Sequence, residues 1–69
     1  MNDADLCRKN GWTPGTTLEG DDSAGLSRIV ITAIGERRIL ARRTHHDGKA
    51  AEEGESMWTL RYRDWRRVS

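Results

Sequence analysis

Alternating apolar and polar residues mark the middle of the chain as a β-strand. In LSRIVITAIG, residues 26–35, four consecutive residues are β-branched, and such residues prefer the pleated backbone of a strand. Side chains of a strand alternate between its two faces, so Ile29, Ile31 and Ala33 share one face. We expect this apolar face to line the core of the domain.

A second alternating stretch, RRILARRT at residues 37–44, follows after a link of one glycine and one glutamate. Its apolar positions, Ile39 and Ala41, are expected to point inward, which turns Arg38 and Arg42 outward. Two strands joined by so short a link form a β-hairpin. The sequence therefore predicts a central hairpin with arginines on its outer face.

The residues before this hairpin predict a short helix, a strand and a polar loop. Residues 1–11 place acidic side chains at the start and basic side chains at the end of one helical stretch, as the helix dipole favours. Gly11 suits the left-handed position after the last turn. Residues 16–20 are then expected to form a strand, and residues 20–25, GDDSAG, a loop.

The residues after the hairpin predict a polar segment and a further strand. HHDGKAAEEGES, residues 45–56, has almost no apolar content, so we expect a mobile loop or the tip of a longer hairpin. SMWTLRY, residues 56–62, alternates again and is expected to be the fourth strand. Its side chains Trp58, Leu60 and Tyr62 share one face of that strand.

The last seven residues predict how the domain closes. RDW, residues 63–65, is expected to be a tight 3₁₀ turn in which Trp65 plugs one end of a barrel. RRVS is expected to be a short final strand. The aromatic residues are therefore assigned mainly to the packing of the fold, with part of the surface of Trp58 or Tyr62 left exposed.

The order of these elements over residues 16–69 resembles that of SH3-like barrels. The resemblance implies a mostly β fold, a small SH3-like five-stranded barrel with a short N-terminal helix. We expect a single domain, with the helix at residues 1–11 and the barrel at residues 12–69. The aromatic residues with which SH3 domains bind proline-rich peptides are not matched, so that function is not implied.

Length and cysteine content restrict the kind of protein further. A chain of 69 residues is enough for one small domain, which buries only about 60% of the surface of its unfolded chain. The single cysteine, Cys7, excludes an intramolecular disulfide, so a reducing cytoplasm is the expected compartment. No apolar run approaches the ~20 residues of a membrane-spanning helix, and no membrane partner is expected.

The sequence contains few residues suited to catalysis or metal binding. His45, His46 and Asp47 suggest a metal site, but neighbouring residues of a strand point to opposite faces, so both histidines could bind one ion only from a loop. Cys7 lies towards the end of the predicted helix, where the dipole does not favour a thiolate. We therefore expect no enzyme activity, no bound metal and no cofactor.

Arginine is the most informative residue type. Ten arginines stand against two lysines, and the net charge is +1. Residues 1–35 carry three basic and five acidic residues, whereas residues 36–69 carry nine and six. We predict that outward arginines of neighbouring strands form one basic face that binds a partner. The predicted partner-binding residues are Arg38, Arg42, Arg61, Tyr62 and Arg63.

The arginines also allow two interpretations without a binding role. Glu36, Glu55 and Asp64 are close enough in sequence to pair with several of them and neutralise the face. Arginine enrichment is also a consequence of a GC-rich genome. The basic face therefore has to be judged by where its charges lie in the structure.

Three stretches, GWTPGTTLEGDD, RIVITAIGERRILAR and WTLRYRDWRRV, are similar to small proteins encoded by tailed bacteriophages and prophages. The similarity implies a phage or prophage origin and action in the host-cell cytoplasm, but no mechanism. We expect a small non-catalytic protein-binding module whose partner is a host or phage protein. The alternative is a nucleic-acid-binding accessory protein that uses the arginine-rich β face, although a net charge near +1 is low for that role.

Overall fold

A computed structural model describes residues 1–21 and 25–69 of the chain. The elements within them are α1 (Asp3–Asn10), β1 (Thr17–Asp21), β2 (Leu26–Ile34), β3 (Ile39–His46), β4 (Lys49–Ala50), β5 (Ser56–Trp58) and β6 (Trp65–Arg67). The predicted helix, first strand and central hairpin are confirmed. Of the predicted loop at residues 20–25, the first two residues belong to β1 and residues 22–24 lie outside the described residues.

All strand pairs are antiparallel and belong to one sheet. The order along the sheet is β4-β3-β2-β1-β6, and β5 also pairs with β3. The β2–β3 pairing shifts register next to Ile29 and again between Ile31 and Ala33, and such bulges bend a sheet. In the strand order given above, β1 lies between β2 and β6. The structure is a mostly β, small barrel-like domain, as predicted, with six described strands instead of five.

The inward faces of the strands and one side of α1 enclose a single core. Its buried apolar residues are Ala4, Cys7, Trp12, Leu18, Ile29, Ile31, Ile39, Ala41 and Leu60. The inward positions predicted for β2 and β3 are confirmed, except that Ala33, which follows the second bulge, is only partly buried. Burial of these side chains is the main term that stabilises so small a domain.

Polar groups of α1 attach it to the turn between β2 and β3. The Arg8 guanidinium donates a hydrogen bond to the backbone oxygen of Gly35 (2.6 Å), and the Ala4 N–H donates to the backbone oxygen of Arg37 (3.2 Å). Asn2 caps the start of the helix, and Gly11 ends it with a left-handed φ of 72°. An eight-residue helix is unstable alone, so these contacts hold it in place.

The predicted mobile loop at residues 45–56 is in large part a hairpin. β3 continues to His46, and β4 pairs with it after a turn of Asp47 and Gly48, whose φ values are 50° and 82°. Asp-Gly favours this turn because both positions need positive φ. The Asp47 carboxylate also accepts the Leu26 N–H (2.9 Å), which docks the turn on β2. The alternative of a longer hairpin is therefore confirmed.

The end of the chain differs from the prediction in two places. β5 ends at Trp58, so the predicted strand through Tyr62 is too long, because the Leu60 N–H bonds to a helix carboxylate instead of a neighbouring strand. Trp65 is the first residue of β6 and not part of a 3₁₀ turn. Its ring nevertheless packs against the core and meets the Trp58 ring edge-on, with 5.9 Å between centroids.

Two arginines hold one glutamate on the outer side of the sheet. Glu19 of β1 accepts a hydrogen bond from Arg66 of β6 (2.9 Å) and one from Arg28 of β2 (3.1 Å). These bonds hold the pKa of the Glu19 carboxyl below its ordinary value, and the bond from Arg66 has the largest effect. The cluster fastens the last strand to the first.

Gly20 provides the space that Trp65 needs. A Cβ at position 20 would lie 2.7 Å from the Trp65 ring and 2.8 Å from the backbone oxygen of Asp64. We predict that Gly20→Ala lowers the free energy of unfolding by about 1–3 kcal/mol, as overpacking does, measured by urea denaturation. Gly54→Ala is the control, because a Cβ there meets nothing within 4 Å. Equal effects of the two variants would show that Trp65 is not packed against β1.

The Glu19 cluster predicts a dependence of stability on pH. A carboxyl whose pKa is lowered by folding stabilises the folded state above its unfolded pKa, and this stabilisation is lost as the pH falls through the folded value. The free energy of unfolding is measured by urea denaturation from pH 7 down to below about 4, which is near the ordinary pKa of a glutamate. In Glu19→Gln it should therefore fall less over this pH range than in the parent. Glu52→Gln, at an exposed position, should leave the parental pH dependence in place. Identical curves for Glu19→Gln and the parent would contradict this role.

Candidate functional site

The ten arginines divide into two groups. Five form ion pairs with carboxylates, and these are Arg8, Arg28, Arg43, Arg61 and Arg66. Within residues 1–21 and 25–69 the other five have no such pair, and these are Arg37, Arg38, Arg42, Arg63 and Arg67. Glu36, Glu55 and Asp64 form no ion pair in the same part of the chain, so the expected neutralisation of the arginines by these three residues is not found there.

An exposed apolar pair lies beside Arg38, which immediately precedes β3, and Arg42 of β3. Leu40 of β3 and Met57 of β5 are directly opposite each other across the two strands, and 37% and 55% of their surface is exposed. Arg38 and Arg42 flank Leu40 at alternate positions on the same side, as the sequence predicted. The Arg38 guanidinium lies 3.1 Å from the Met57 sulfur. We call Arg38, Leu40, Arg42 and Met57 the outer face.

A depression of about 430 Å³ borders this outer face. Its lining residues come from the start of α1, the β2–β3 turn, β5 and the segment after β5, and they are Asn2, Asp3, Arg37, Arg38, Met57, Thr59 and Arg61. Three arginines therefore line one concave surface. Two of the predicted site residues, Arg38 and Arg61, line it, and Arg37 lines it as well although the sequence pattern did not select that residue.

The buried carboxylate of Asp3 determines where Arg61 lies. Its Oδ1 accepts the backbone N–H of Leu60 (3.0 Å) and lies 3.6 Å from the Arg61 Nε. Arg61 is exposed, as predicted, but the prediction that it lies on a fourth strand is wrong, since the residue follows β5 in a turn. One nitrogen of its guanidinium faces Asp3, and 43% of the Arg61 side chain stays exposed.

The other two predicted site residues lie in the same turn but away from the outer face. Tyr62 is 75% exposed, and the Arg61 guanidinium lies 5.2 Å from the centre of its ring. Arg63 borders a different depression, which Trp12 and Trp65 also line. The predicted set thus separates into Arg38 and Arg42 on the outer face and Tyr62 and Arg63 on the turn, with Arg61 between them.

The residues considered for metal and nucleophilic chemistry are used by the fold. His46 accepts or donates a hydrogen bond with the buried Ser27 hydroxyl (3.2 Å), and His45 contacts Thr44 (3.1 Å). In the described part of the chain no three His, Cys, Asp or Glu side chains are placed to hold a metal ion. Burial, with the nearby Asp3 carboxylate, raises the pKa of the Cys7 thiol, which opposes a nucleophilic role.

Two features of the site were missed at the level of sequence. Strand alternation places Leu40 on the side of Arg38 and Arg42, and Met57 on the side opposite Trp58, but only the pairing of β3 with β5 brings Leu40 and Met57 together. Arg37 precedes β3 and has no periodic partner that would assign it to a face. Arg37 lies at the depression because α1 docks on the backbone oxygen of Arg37 through the Ala4 N–H.

The chain matches one protein family over residues 1–69, described as a domain of unknown function, DUF7241. It belongs to this family. Neither a curated protein nor a solved structure matches this chain. None of the helices in the described residues has the length and apolar character that crossing a membrane requires.

The hydrogen bond between the Asp3 carboxylate and the Leu60 N–H should contribute measurably to stability. Asp3→Ala should lower the free energy of unfolding by about 1–3 kcal/mol, because the buried Leu60 N–H loses its acceptor. Asp5→Ala removes an exposed carboxylate paired with Arg8 on the same helix and should cost at most about 1 kcal/mol. Thermal and urea denaturation measure both. A loss for Asp3→Ala no larger than that for Asp5→Ala would refute the role of this contact.

Proposed function

We propose that this DUF7241 protein is a non-catalytic protein-binding module that engages its partner through the outer face and the depression beside it. Binding of this kind requires neither a reaction nor a cofactor. Its working residues are Arg38, Leu40, Arg42 and Met57, with Arg61 at the border of the depression.

The observation that carries the proposal is the exposed Leu40–Met57 pair among arginines that form no ion pair with the carboxylates of residues 1–21 and 25–69. Methionine and arginine are enriched in protein interfaces, and a typical interface has an apolar centre with a polar rim. Exposed arginines without carboxylate partners leave charge available to a partner, and charge complementarity steers association.

The biological setting is part of the same proposal. The similarity of GWTPGTTLEGDD, RIVITAIGERRILAR and WTLRYRDWRRV to small phage and prophage proteins supports a phage or prophage origin. A buried, unpaired Cys7 is compatible with a reducing compartment, which supports the host-cell cytoplasm as the place of action. A host or phage protein is accordingly the proposed partner.

A second candidate function, nucleic-acid binding, rests on Tyr62. An exposed aromatic ring between Arg61 and Arg63 is a feature of surfaces that stack a base and contact its phosphates. Two acidic residues, Asp21 and Asp64, border the same turn and weaken its positive potential. Such binding would weaken steeply with salt, with a slope of about −0.9 per phosphate contact on duplex DNA.

The proposal is tested by capture from bacterial lysate treated with nuclease. The full chain is compared with the double variant Leu40→Ser/Met57→Ser, which removes the apolar centre. The matched control is Leu26→Ser/Val68→Ser, because these residues are 46% and 40% exposed but lie off the outer face. We expect the parent and the control to retain the same proteins and the outer-face variant to lose them.

The outcome also separates the two candidate functions. Thermal denaturation of each variant first establishes that it is folded. Equal retention by both double variants would show that the partner binds elsewhere. If nuclease treatment removes all captured material and Tyr62→Ala prevents capture without nuclease, the nucleic-acid function is correct instead.

A further inference from the structure

We propose that the depression lined by Arg37, Arg38 and Arg61 binds a carboxylate of an acidic protein segment, whose neighbouring apolar side chain packs on Met57 and Leu40. This inference rests on the proposed protein-binding function and specifies the chemistry of its partner. It assigns Arg37 to the site, which the sequence pattern did not.

The charges of the depression favour an anion. Its lining residues include three arginines and one aspartate, which leaves a surplus of two positive charges in a concave surface. The single carboxylate, Asp3, is buried and already engaged by the Leu60 N–H and the Arg61 Nε. It therefore contributes little towards neutralising the other two guanidinium groups.

The available donors belong to Arg37 and Arg38. Neither forms an ion pair in residues 1–21 and 25–69, and the polar contact of the Arg38 side chain there is the Met57 sulfur, a weak acceptor. A carboxylate brought between them would gain two charge-assisted hydrogen bonds, for which the planar guanidinium fork is suited. Arg61 lines the same depression.

The apolar neighbours favour a peptide over a nucleic-acid phosphate. Met57 lines the depression itself, and Leu40 lies directly across the strand pair from it. A carboxylate next to a leucine or methionine satisfies both the charge and the apolar surface. A phosphodiester offers no apolar group at this spacing, and an exposed aromatic ring for base stacking is found at Tyr62 and not within the depression.

The test uses the full chain and three defined probes in NMR titrations. The first probe is a blocked hexapeptide of alternating aspartate and leucine. The second has asparagine in place of each aspartate, and the third is a six-nucleotide oligothymidylate. We expect saturable shifts of the arginine Nε–H signals of Arg37, Arg38 and Arg61 and of the Met57 methyl group with the first probe. The asparagine peptide should bind at least about fivefold more weakly.

The variant Arg37→Gln/Arg38→Gln should weaken binding of the acidic peptide about five- to tenfold, because two partly exposed charge pairs are lost. Lys9→Gln/Arg67→Gln is the matched control, since it removes the same net charge from exposed positions outside the depression. It should change the affinity by less than about twofold. Thermal denaturation of both variants checks that they are folded.

Several results would overturn the inference. These are equal binding of the aspartate and asparagine peptides, an equal loss in the two double variants, no saturable shift at all, or tighter binding of the oligothymidylate to the same residues. Failure of this inference differs from failure of the proposed function. If the lysate partner is lost with Leu40→Ser/Met57→Ser but retained with Arg37→Gln/Arg38→Gln, Leu40 and Met57 of the outer face bind a protein, whereas Arg38 and the depression do not bind its carboxylate.

Discussion

The buried carboxylate of Asp3 is the contact on which the arrangement of the site depends. It accepts the Leu60 N–H at 3.0 Å, so the backbone after β5 leaves the sheet and turns instead of continuing as a strand. The same contact places α1 over the end of the core and holds Arg61 beside the helix start. A buried carboxylate has to be paired to be tolerated, and here its partners are the Leu60 N–H and Arg61, of which Arg61 lines the depression.

The arginines show how one residue type serves both fold and surface. Arg28 and Arg66 converge on Glu19 and connect three strands, and Arg43 lies over the Trp58 ring with its guanidinium carbon 5.2 Å from the ring centre. These side chains are held by the domain itself. Arg38, which immediately precedes β3, and Arg42 within β3 have no such partners in the described residues. The paired arginines thus stabilise a small barrel-like domain, and the unpaired ones give its outer face an excess of positive charge.

The separation of the predicted site residues changes what the surface can recognise. One continuous basic face would suit a polyanion, because a row of phosphates can follow it. The structure instead has an apolar pair beside a basic depression, with Tyr62 and Arg63 on a turn that acidic residues border. Charge and apolar surface at this short range are the combination that protein partners use. This is the reason for preferring a protein partner within a family whose function is unknown.

Local sequence determined the elements whose signals are contained in a few residues. The β-branched run predicted β2, the alternation of apolar and polar residues predicted β3, and the capping signals predicted α1. The same alternation predicted the inward side chains Ile29, Ile31, Ile39 and Ala41. These signals are local, because side-chain alternation and helix capping depend on residues within one strand or one or two helical turns. Tertiary structure alone decided the end of β5, the position of Trp65 in β6 and the approach of Arg37 to Arg61. Each depends on a contact between residues far apart in the chain, such as Asp3 with Leu60, and no local pattern encodes which distant groups will meet.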